Sequence, residues 1–435
     1  MKLLLKCARV IDPAQKIDSL TDILIQDGKI AGLGKDIIKT DKTKSSTDIK
    51  IIDLTDMIVT PGLIDMHTHL REPGFEYKET IASGCAAAVA GGFTSIACMP
   101  NTDPVNDNRS ITEFIRRKAA EANMVNVYPI GAISTSSKGS KLTEFWDLKD
   151  AGVIGLSDDG RPVMDAALMR RALEYAHSLG LPVIQHCEDT NLSSGGCMNE
   201  GYYSTILGLH GIPSIAEEAI IARDILIAEY THTSVHIAHV STAGSVRLIR
   251  EAKKRNLKIT AETAPHYFTL TDESLQGYDT NFKVNPPLRS AQDVAAIKEG
   301  LMDGTIDAIA CDHAPHARTD KEVEFEYAQN GISGLETSLA LSLNLIHDGT
   351  LSWDELVAKM TCNPAHILNL PKGTLVPGAD ADITVIDPQL KWTVDVKDFQ
   401  SRGKNSPFNG RKMLGKAVMT IVGGEIKYAG ASLKS

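Results

Sequence analysis

The stretch PGLIDMHTHLREPG, residues 61–74, places two histidines and an arginine at alternate positions directly after an apolar run. In a β-strand alternate side chains share a face, so His67, His69 and Arg71 are expected to point the same way, just beyond buried Leu63 and Ile64. Two imidazoles on one face suggest a metal site. A lone His-x-His also occurs at strand ends where the rings bond to backbone carbonyls, so the metal hypothesis requires further ligands elsewhere.

Further histidines and aspartates, together with one asparagine, stand where apolar runs of the middle region give way to polar residues: Asn101, Asp158, Asp159, His186, His239, Asp312, His313 and His316. Four histidines and two aspartates are about what two divalent cations need, with water or hydroxide filling the other positions. Alternation in a strand lets only one of Asp158 and Asp159 face inward, and the pattern alone leaves that choice open. Any one of these groups alone would be read as a hydrogen-bonded core residue, but their recurrence at five strand ends favours one shared site.

The elements that must position these residues lie between residues 60 and 370, where apolar runs alternate with helix-like stretches. The runs are LIDMHTHL, FTSIACMPN, VNVYPIGAI, GVIGLSDDG, LPVIQHCED, SVHIAHVST, LKITAETAPH and IDAIACDHAPH. Eight largely apolar strands, each followed by a helix, predict an α/β fold whose parallel sheet closes into a (β/α)8 TIM-like barrel. An open doubly wound sheet is the alternative. In a barrel, catalytic groups come from the carboxyl ends of different strands, where the candidate ligands stand.

Three stretches carry the apolar spacing of helices: ITEFIRRKAAEA, DAALMRRALEYAHSLG and SIAEEAIIARDILIAEY. We expect the second to end at Gly180. Both ends of the chain show short β runs instead, and Asp27-Gly28 is placed as a hairpin turn would be. We therefore predict a small β-sandwich domain made from residues 1–59 plus 371–435, with the metal-dependent barrel of residues 60–370 inserted between the two segments.

The composition narrows the partners. A net charge of −10 over 435 residues, without any basic patch, argues against nucleic acid and favours a small-molecule substrate. The start, MKLLLKCARVID, is too quickly interrupted for a signal peptide, and no apolar stretch approaches about 18 residues, so no membrane association is expected. The seven cysteines are scattered and form no CxxC pair, which predicts reduced thiols and a cytoplasmic protein. Cys187 and Cys311, which adjoin candidate ligands, are expected to serve packing only.

A set of motifs occurs in a recognisable order: DMHTHLREPG, MPNT, SDDG, HCE, AHVST, AETAPHYF, NPPLR and CDHAPH. Together they closely resemble the dihydroorotases of the bacterial class I type, in the amidohydrolase superfamily, and the resemblance covers nearly the whole chain. In that family the enzyme interconverts L-dihydroorotate and N-carbamoyl-L-aspartate in de novo pyrimidine (UMP) biosynthesis. The resemblance thus implies a zinc-dependent cyclic amidohydrolase with one or two zinc ions per subunit, two being expected.

The resemblance also implies a role for each matching residue. His67, His69 and Asp312 would bind the more buried zinc, His186 and His239 would bind the second, and Asp159 would bridge them. The substrate would be held by Arg71, Asn101, Asn285 and His316, and by the backbone at Asn330 and Gly331. Asn stands before Gly331 where related sequences often have Phe. The strand GVIGLSDDG has no lysine, whereas many relatives, including hydantoinases, use a carboxylated lysine there.

The implied chemistry is hydrolysis of a ring amide. Zinc-bound water can lose its proton near pH 7, a second cation can polarise the carbonyl, and Asp312 would carry the proton to the leaving nitrogen. One alternative is another cyclic-amide hydrolase, such as a hydantoinase or allantoinase, which would depend little on Arg71. Another is a non-catalytic scaffold for aspartate carbamoyltransferase, which the presence of all six expected ligands disfavours. A homodimer is common for such barrels, and association with aspartate carbamoyltransferase is a further partner expectation.

Overall fold

The computed structural model describes residues 2–35, 37 and 49–430, and eight parallel strands form its centre. They are β6 (Leu63–Thr68), β7 (Phe93–Cys98), β8 (Asn126–Gly131), β9 (Gly155–Leu156), β10 (Ile184–Gln185), β13 (Val235–Ile237), β14 (Ile259–Thr263) and β15 (Ala308–Ile309). They pair in the orders β6-β7-β8-β9 and β10-β13-β14-β15. Parallel bridges between Leu156 and Val183 and between Thr68 and His313 join these halves. The predicted closed barrel is therefore confirmed, and the open doubly wound sheet is wrong.

The helices that surround the barrel and extend its loops are α1 (Ile81–Gly91), α2 (Arg109–Ala122), α3 (Phe145–Ala151), α4 (Ala166–Leu179), α5 (Tyr202–Leu207), α6 (Ile215–Thr231), α7 (Ala243–Lys254), α8 (Ala291–Met302), α9 (Arg318–Lys321), α10 (Leu335–His347), α11 (Trp353–Met360) and α12 (Cys362–Ile367). The three helices expected from apolar spacing are α2, α4 and α6, which confirms them. Helix α4 begins after Asp165, whose carboxylate accepts hydrogen bonds from the amides of Ala167 and Leu168, and ends at Gly180 with φ 68°.

Strands from both terminal segments pair in one eight-stranded sheet, as expected for a β domain built from the two ends of the chain. Its strands are β1 (Lys2–Asp12), β2 (Ile17–Gln26), β3 (Lys29–Leu33), β4 (Ile49–Asp53), β5 (Ile58–Pro61), β16 (Ile383–Thr393), β17 (Lys412–Val422) and β18 (Glu425–Ala429). The β2-β3 hairpin turns at Asp27 and Gly28, whose φ angles of 51° and 79° are those of a type I′ turn. A register shift in β1 between Leu5 and Ala8 lets one half of the strand pair with β4 and the other with β5.

The two parts meet through continuous packing. Strand β5 of the terminal sheet ends at Pro61, and β6 of the barrel begins two residues later. Phe399 and Phe408, from the segment between β16 and β17, are buried with Tyr267 and Val284 of the barrel loops. This segment therefore supports the barrel mouth, and the division at residues 59 and 370 stays a prediction.

Two further expectations concern cysteine and the membrane. All seven cysteines lie among the described residues and are free thiols, and Cys187 and Cys311 are buried in the apolar cluster of strands and helices. None of the helices in the described part of the chain combines the length and the apolar character needed to cross a bilayer. The short strands β11 (Met198–Asn199) and β12 (Gly211–Ile212) pair only with each other, within the loop after β10.

Candidate metal centre and substrate cavity

The barrel mouth gathers the six residues expected to bind metal into one buried cluster. Asp159 lies at its centre, with its carboxylate oxygens 3.4 to 3.6 Å from ring nitrogens of four histidines, which are His67, His69, His186 and His239. Asp312 lies 2.9 Å from His69 Nε2 and 3.6 Å from His67 Nε2. Two triads have all their ligand atoms within 4.8 Å of one another: His67, Asp159 and His239, and His67, His69 and Asp312.

The neighbouring aspartates after β9 separate as alternation requires. Asp158 turns away from the cluster, because its carboxylate accepts hydrogen bonds from the backbone amide and hydroxyl of Ser134. Asp159 faces the histidines, with its backbone amide bonded to Ser157 Oγ 3.0 Å away. The structure therefore places the carboxylate of Asp159, and not that of Asp158, among the histidines of the cluster.

The backbone at the mouth departs from strand geometry. Strand β6 ends at Thr68, and Arg71 lies in a turn with φ 63°, so the expectation that strand alternation aims Arg71 is wrong although the side chain does reach the cavity. His239 and Asp312 also have positive φ, 34° and 47°, a region that costs L-residues about 1 to 3 kcal/mol. Such strain is typical of functional sites, where the surrounding structure holds it in place.

The donor set of histidines and carboxylates fits a divalent metal ion. His67 Nε2 is buried and without a hydrogen-bond partner, although it faces two carboxylates. Three of the histidines turn one ring nitrogen into the cluster and hold the other on an oxygen acceptor, as metal-bound histidines generally do. The outer pairs are His67 Nδ1 with Glu262 at 2.7 Å, His69 Nδ1 with Asn101 at 3.0 Å and His186 Nε2 with Glu188 at 2.9 Å.

The cluster attracts positive charge. Burial alone would raise the pKa of Asp159 and Asp312, but the histidines beside them hold both values below the ordinary range. Burial would likewise lower the pKa of His186, yet the carboxylates of Asp159 and Glu188 raise it to about 10. Carboxylates that stay ionised this deep in the protein make a favourable place for a divalent cation.

A cavity of about 190 Å³ opens onto this cluster and is lined by His69, Arg71, Asn101, Asp159, Gly160, His186, His239, Asn285, Asp312, Ala314, His316, Gln329, Asn330 and Gly331. It therefore contains every residue predicted to hold the substrate. Arg71 donates through Nε to the Pro315 carbonyl, 3.2 Å away, and Asn285 donates to Glu188 Oε2 at 2.8 Å. A wider opening of about 540 Å³ shares Asn101, Asp159 and Gly160 with it and leads to the surface.

Gly331 is closely packed against its neighbours, and its backbone groups are bonded within the protein. A Cβ there would lie 2.6 Å from both Cβ and the carbonyl oxygen of Ala314, and the residue has φ 145°. Its amide donates to the Lys283 carbonyl at 2.9 Å, and its carbonyl accepts from Asn405 Nδ2 at 2.9 Å. Both backbone groups of Gly331 thus have protein partners, while the Asn330 carbonyl faces His316 Nε2 at 2.8 Å.

Four residues around the cavity and the cluster are not among the expected site residues: Lys78, Glu188, Glu262 and His236. Glu188 stands two positions after His186 and shares its face, and Glu262 lies on β14 as part of AETAPH, so alternation offered a signal for both. His236 Nε2 lies 3.5 Å from Glu262 Oε2, and its burial could be seen only in the fold. His266, in the AETAPHYF motif, is buried beside Tyr267, and burial lowers its pKa to about 4.

Comparison with known proteins identifies the family. The profile described as Dihydro-orotase-like matches residues 56–245, and that of the Amidohydrolase family matches residues 211–428. A protein named dihydroorotase from Syntrophus aciditrophicus (strain SB) is 61% identical over 98% of this chain and 99% of its own length. Another from Geobacter metallireducens is 57% identical over 98% of this chain and all of its own.

Solved structures agree on the architecture. The L-hydantoinase (dihydropyrimidinase) from Arthrobacter aurescens superposes with a TM-score of 0.88 at 26% identity, covering 100% of this chain and 97% of that one. The dihydropyrimidinase from Brevibacillus agri NCHU1002 superposes with a TM-score of 0.86 at 23% identity, over 100% and 96% of the two chains, which shows the shared fold. With identities of 53% to 61% to eight curated dihydroorotases along nearly its entire length, the chain belongs to the dihydroorotase family of amidohydrolases.

Proposed function

We propose that the protein catalyses the reversible hydrolysis of L-dihydroorotate to N-carbamoyl-L-aspartate, in the de novo synthesis of pyrimidines. The observation that carries this proposal is the cavity in which the Arg71 guanidinium lies beside a buried His and Asp cluster. A cyclic amide that carries a carboxylate matches this cavity, because its carboxylate would pair with Arg71 and its ring amide would face the cluster. Uncharged rings such as hydantoin would make no use of a partly buried arginine, whose charge is best offset by an anionic partner.

We propose two divalent cations, with zinc as the metal. His67, His69 and Asp312 would hold one, His186 and His239 the other, and Asp159 would bridge them. The buried and unpartnered His67 Nε2 and the triad of His67, His69 and Asp312 support the first site. The second is supported by Asp159, whose Oδ1 lies 3.5 Å from His186 Nδ1 and 3.4 Å from His239 Nε2. When bound, such cations lower the pKa of a coordinated water and polarise a carbonyl oxygen.

The substrate carboxylate would lie against Arg71, supported by Asn101, His316 and Asn285. A guanidinium presents parallel donors that match the two carboxylate oxygens. Burial lowers the pKa of Arg71 to about 10, which leaves it charged at neutral pH. The Gly331 backbone is already bonded within the protein and the Asn330 carbonyl faces His316, so the Asn330 amide is the backbone group that would meet the ring at that edge.

Asp312 would move the proton. Its pKa lies below the ordinary range, because His69 donates to it and His67 and His239 add positive charge, so it is ionised and able to act as a base. In ring opening a water oxygen bonds to the ring carbonyl carbon, Asp312 takes the water's proton, and the same proton passes to the ring nitrogen as the carbon–nitrogen bond breaks. Ring closure reverses these steps, so one carboxylate serves both directions.

The direct test is turnover of L-dihydroorotate by the purified protein, with the metal content measured on the same sample and with hydantoin and allantoin as comparison substrates. We expect dihydroorotate alone to be opened, and Asp312→Asn to lower kcat by about 10² to 10⁴, the usual contribution of a general acid–base. Bound metal without dihydroorotate turnover would refute the proposal and favour another cyclic amide. A protein that binds no metal would favour the scaffold role.

Two neighbouring aspartates offer a matched test of the ligand assignment. Asp159→Asn should lower the bound metal and abolish turnover, because its carboxylate faces four histidines. Asp158→Asn removes an equally buried carboxylate that bonds to Ser134, and it should keep the metal content of the unmodified protein. Equal metal loss in both variants would contradict the assignment of Asp159.

The remaining expectations concern location and assembly. The seven free thiols support a reducing compartment, and we propose the cytoplasm. The homodimer and the association with aspartate carbamoyltransferase stay predictions. Light scattering of the purified protein, alone and mixed with that enzyme, tests both.

A further inference from the structure

Lys78 lies behind the substrate cavity and contacts His316 from the side opposite Arg71. Its Nζ is 3.2 Å from His316 Nδ1 and 3.5 Å from Asp320 Oδ2, and its side chain is 11% exposed. The rings of Phe75 and Tyr77 lie within 5.6 Å of the ammonium. A lysine is rarely this buried unless its ammonium is paired, and none of the catalytic steps above uses Lys78.

The contacts of His316 specify which nitrogen carries its hydrogen. An ammonium can only donate, so Nδ1, which faces Lys78 at 3.2 Å, must be the acceptor. The hydrogen then lies on Nε2, which faces the Asn330 carbonyl at 2.8 Å. The competing partner of Nδ1, the Asp320 carboxylate, is 3.7 Å away and too distant for a hydrogen bond. The ring is neutral, because burial together with the charges of Arg71, Lys78 and Lys321 lowers the pKa of His316 to about 2.

This tautomer has a consequence for Arg71. Its Nη2 is 3.3 Å from His316 Nε2, and a guanidinium, like an ammonium, can only donate. An Nε2 that carries a hydrogen cannot accept from Arg71, so that edge of the guanidinium keeps its donors for an anion. In the opposite tautomer Nε2 would accept from Arg71, and the Asn330 carbonyl would lose its donor.

We propose that Lys78 is a positioning residue for the anion-binding end of the cavity: by donating to His316 Nδ1 it selects the Nε2–H tautomer and so keeps Arg71 available for the substrate carboxylate. This inference rests on the proposed function, since it names how the same cavity selects a ring with a carboxylate over an uncharged one. Lys78 acts only through its neighbour and touches neither the reacting atoms nor the metal ligands.

The tautomer can be read without any turnover. Nitrogen NMR of the metal-loaded protein labelled with ¹⁵N-histidine distinguishes a ring nitrogen with a hydrogen from one without, and His316→Gln identifies the signals. We expect Nε2–H and a bare Nδ1 in the unmodified protein and in Lys78→Arg, and a hydrogen on Nδ1 in Lys78→Met. A hydrogen on Nδ1 in the unmodified protein, or the same tautomer in Lys78→Met, would overturn the inference.

Kinetics provide the second readout. Lys78→Met should raise KM for L-dihydroorotate about tenfold, with kcat changed less than about twofold, because only the binding of the carboxylate is weakened. Lys78→Arg should restore KM to within about threefold. Lys118→Met, which removes a lysine 3.9 Å from Glu72 on the outside of the barrel, is the matched control and should change neither constant.

The two proposals fail in different ways. No turnover by the unmodified protein refutes the proposed function, whereas the NMR result still decides the tautomer. Normal turnover with an unchanged KM in Lys78→Met refutes only the positioning role. A lower kcat together with a lower melting temperature in Lys78→Met would show that Lys78 has only a structural role, and would refute the positioning role.

Discussion

The carboxylate of Glu262 should set how tightly the cluster holds its metal. It is 1% exposed, and its Oε1 lies 2.7 Å from His67 Nδ1, which leaves the other ring nitrogen directed at Asp159 and Asp312. Burial would raise the pKa of Glu262, but His236, 3.5 Å away, and the hydrogen bond from His67 hold it at about 2. A charged acceptor on Nδ1 would make His67 a stronger ligand for a metal.

The size of the effect follows from the kind of bond. A hydrogen bond to a charged group contributes about 1.5 to 3 kcal/mol, against about 0.5 to 1.5 kcal/mol between neutral groups. Glu262→Gln keeps the acceptor and loses the charge, so we expect a loss of about 1 kcal/mol, or about fivefold in metal affinity. Glu262→Ala removes the bond entirely and should weaken affinity about 10- to 100-fold, the range found when such outer partners are removed.

The assay is competition between the metal-free protein and a chromogenic zinc chelator, for the unmodified protein and both variants. Glu336→Gln is the control, because Glu336 is also largely buried and accepts hydrogen bonds from the Gln400 and Ser401 amides instead of a metal ligand. We expect affinity to fall from the unmodified protein to Gln and again to Ala, with the control unchanged. Unaltered affinity in both Glu262 variants, with intact thermal unfolding, would refute the reasoning.

Three further predictions concern Arg71, Gly331 and Glu336. Arg71→Lys should raise KM for L-dihydroorotate about tenfold or more, because an ammonium cannot reproduce the parallel donors, while exposed Arg318→Lys should leave it unchanged. Gly331→Ala should raise KM and lower the melting temperature, because its Cβ would lie 2.6 Å from neighbouring atoms, whereas Gly277→Ala meets nothing within 4 Å and should do neither. Burial raises the pKa of Glu336 from 4.5 to about 7, so the folded protein binds the extra proton and loses stability as pH rises through that window. Glu336→Gln should remove this loss of stability. Melting temperatures of both proteins at pH 5 and pH 8 test this, and we expect the variant to melt at a higher temperature than the unmodified protein only at pH 8.

Much of the site was readable from local pattern. His186 follows β10 directly and His67 lies within β6, so placing both at strand ends required only a period-two pattern and the barrel rule. The hairpin at Asp27-Gly28 and the end of α4 at Gly180 were equally local, because each depends on a residue that tolerates positive φ. Whether Asp158 or Asp159 faces the cluster could not be read from the local sequence, because it depends on which of the two carboxylates bonds to Ser134.

By itself, the sequence predicted the eight strands, a β domain made from both ends of the chain and the side chains expected to bind metal, because hydrophobic period and residue type are properties of short segments. The tertiary structure alone decided how those side chains are held. Glu262 meets His67 across 195 positions of the chain, and Lys78 meets His316 across 238, so neither contact leaves a trace in any local window. The direction of Arg71 was likewise decided by a left-handed turn beyond β6, where strand alternation no longer applies. Which residue types could bind a metal can be read from a short segment. The protonation and orientation of each side chain depend on neighbours that are brought close only when the chain folds.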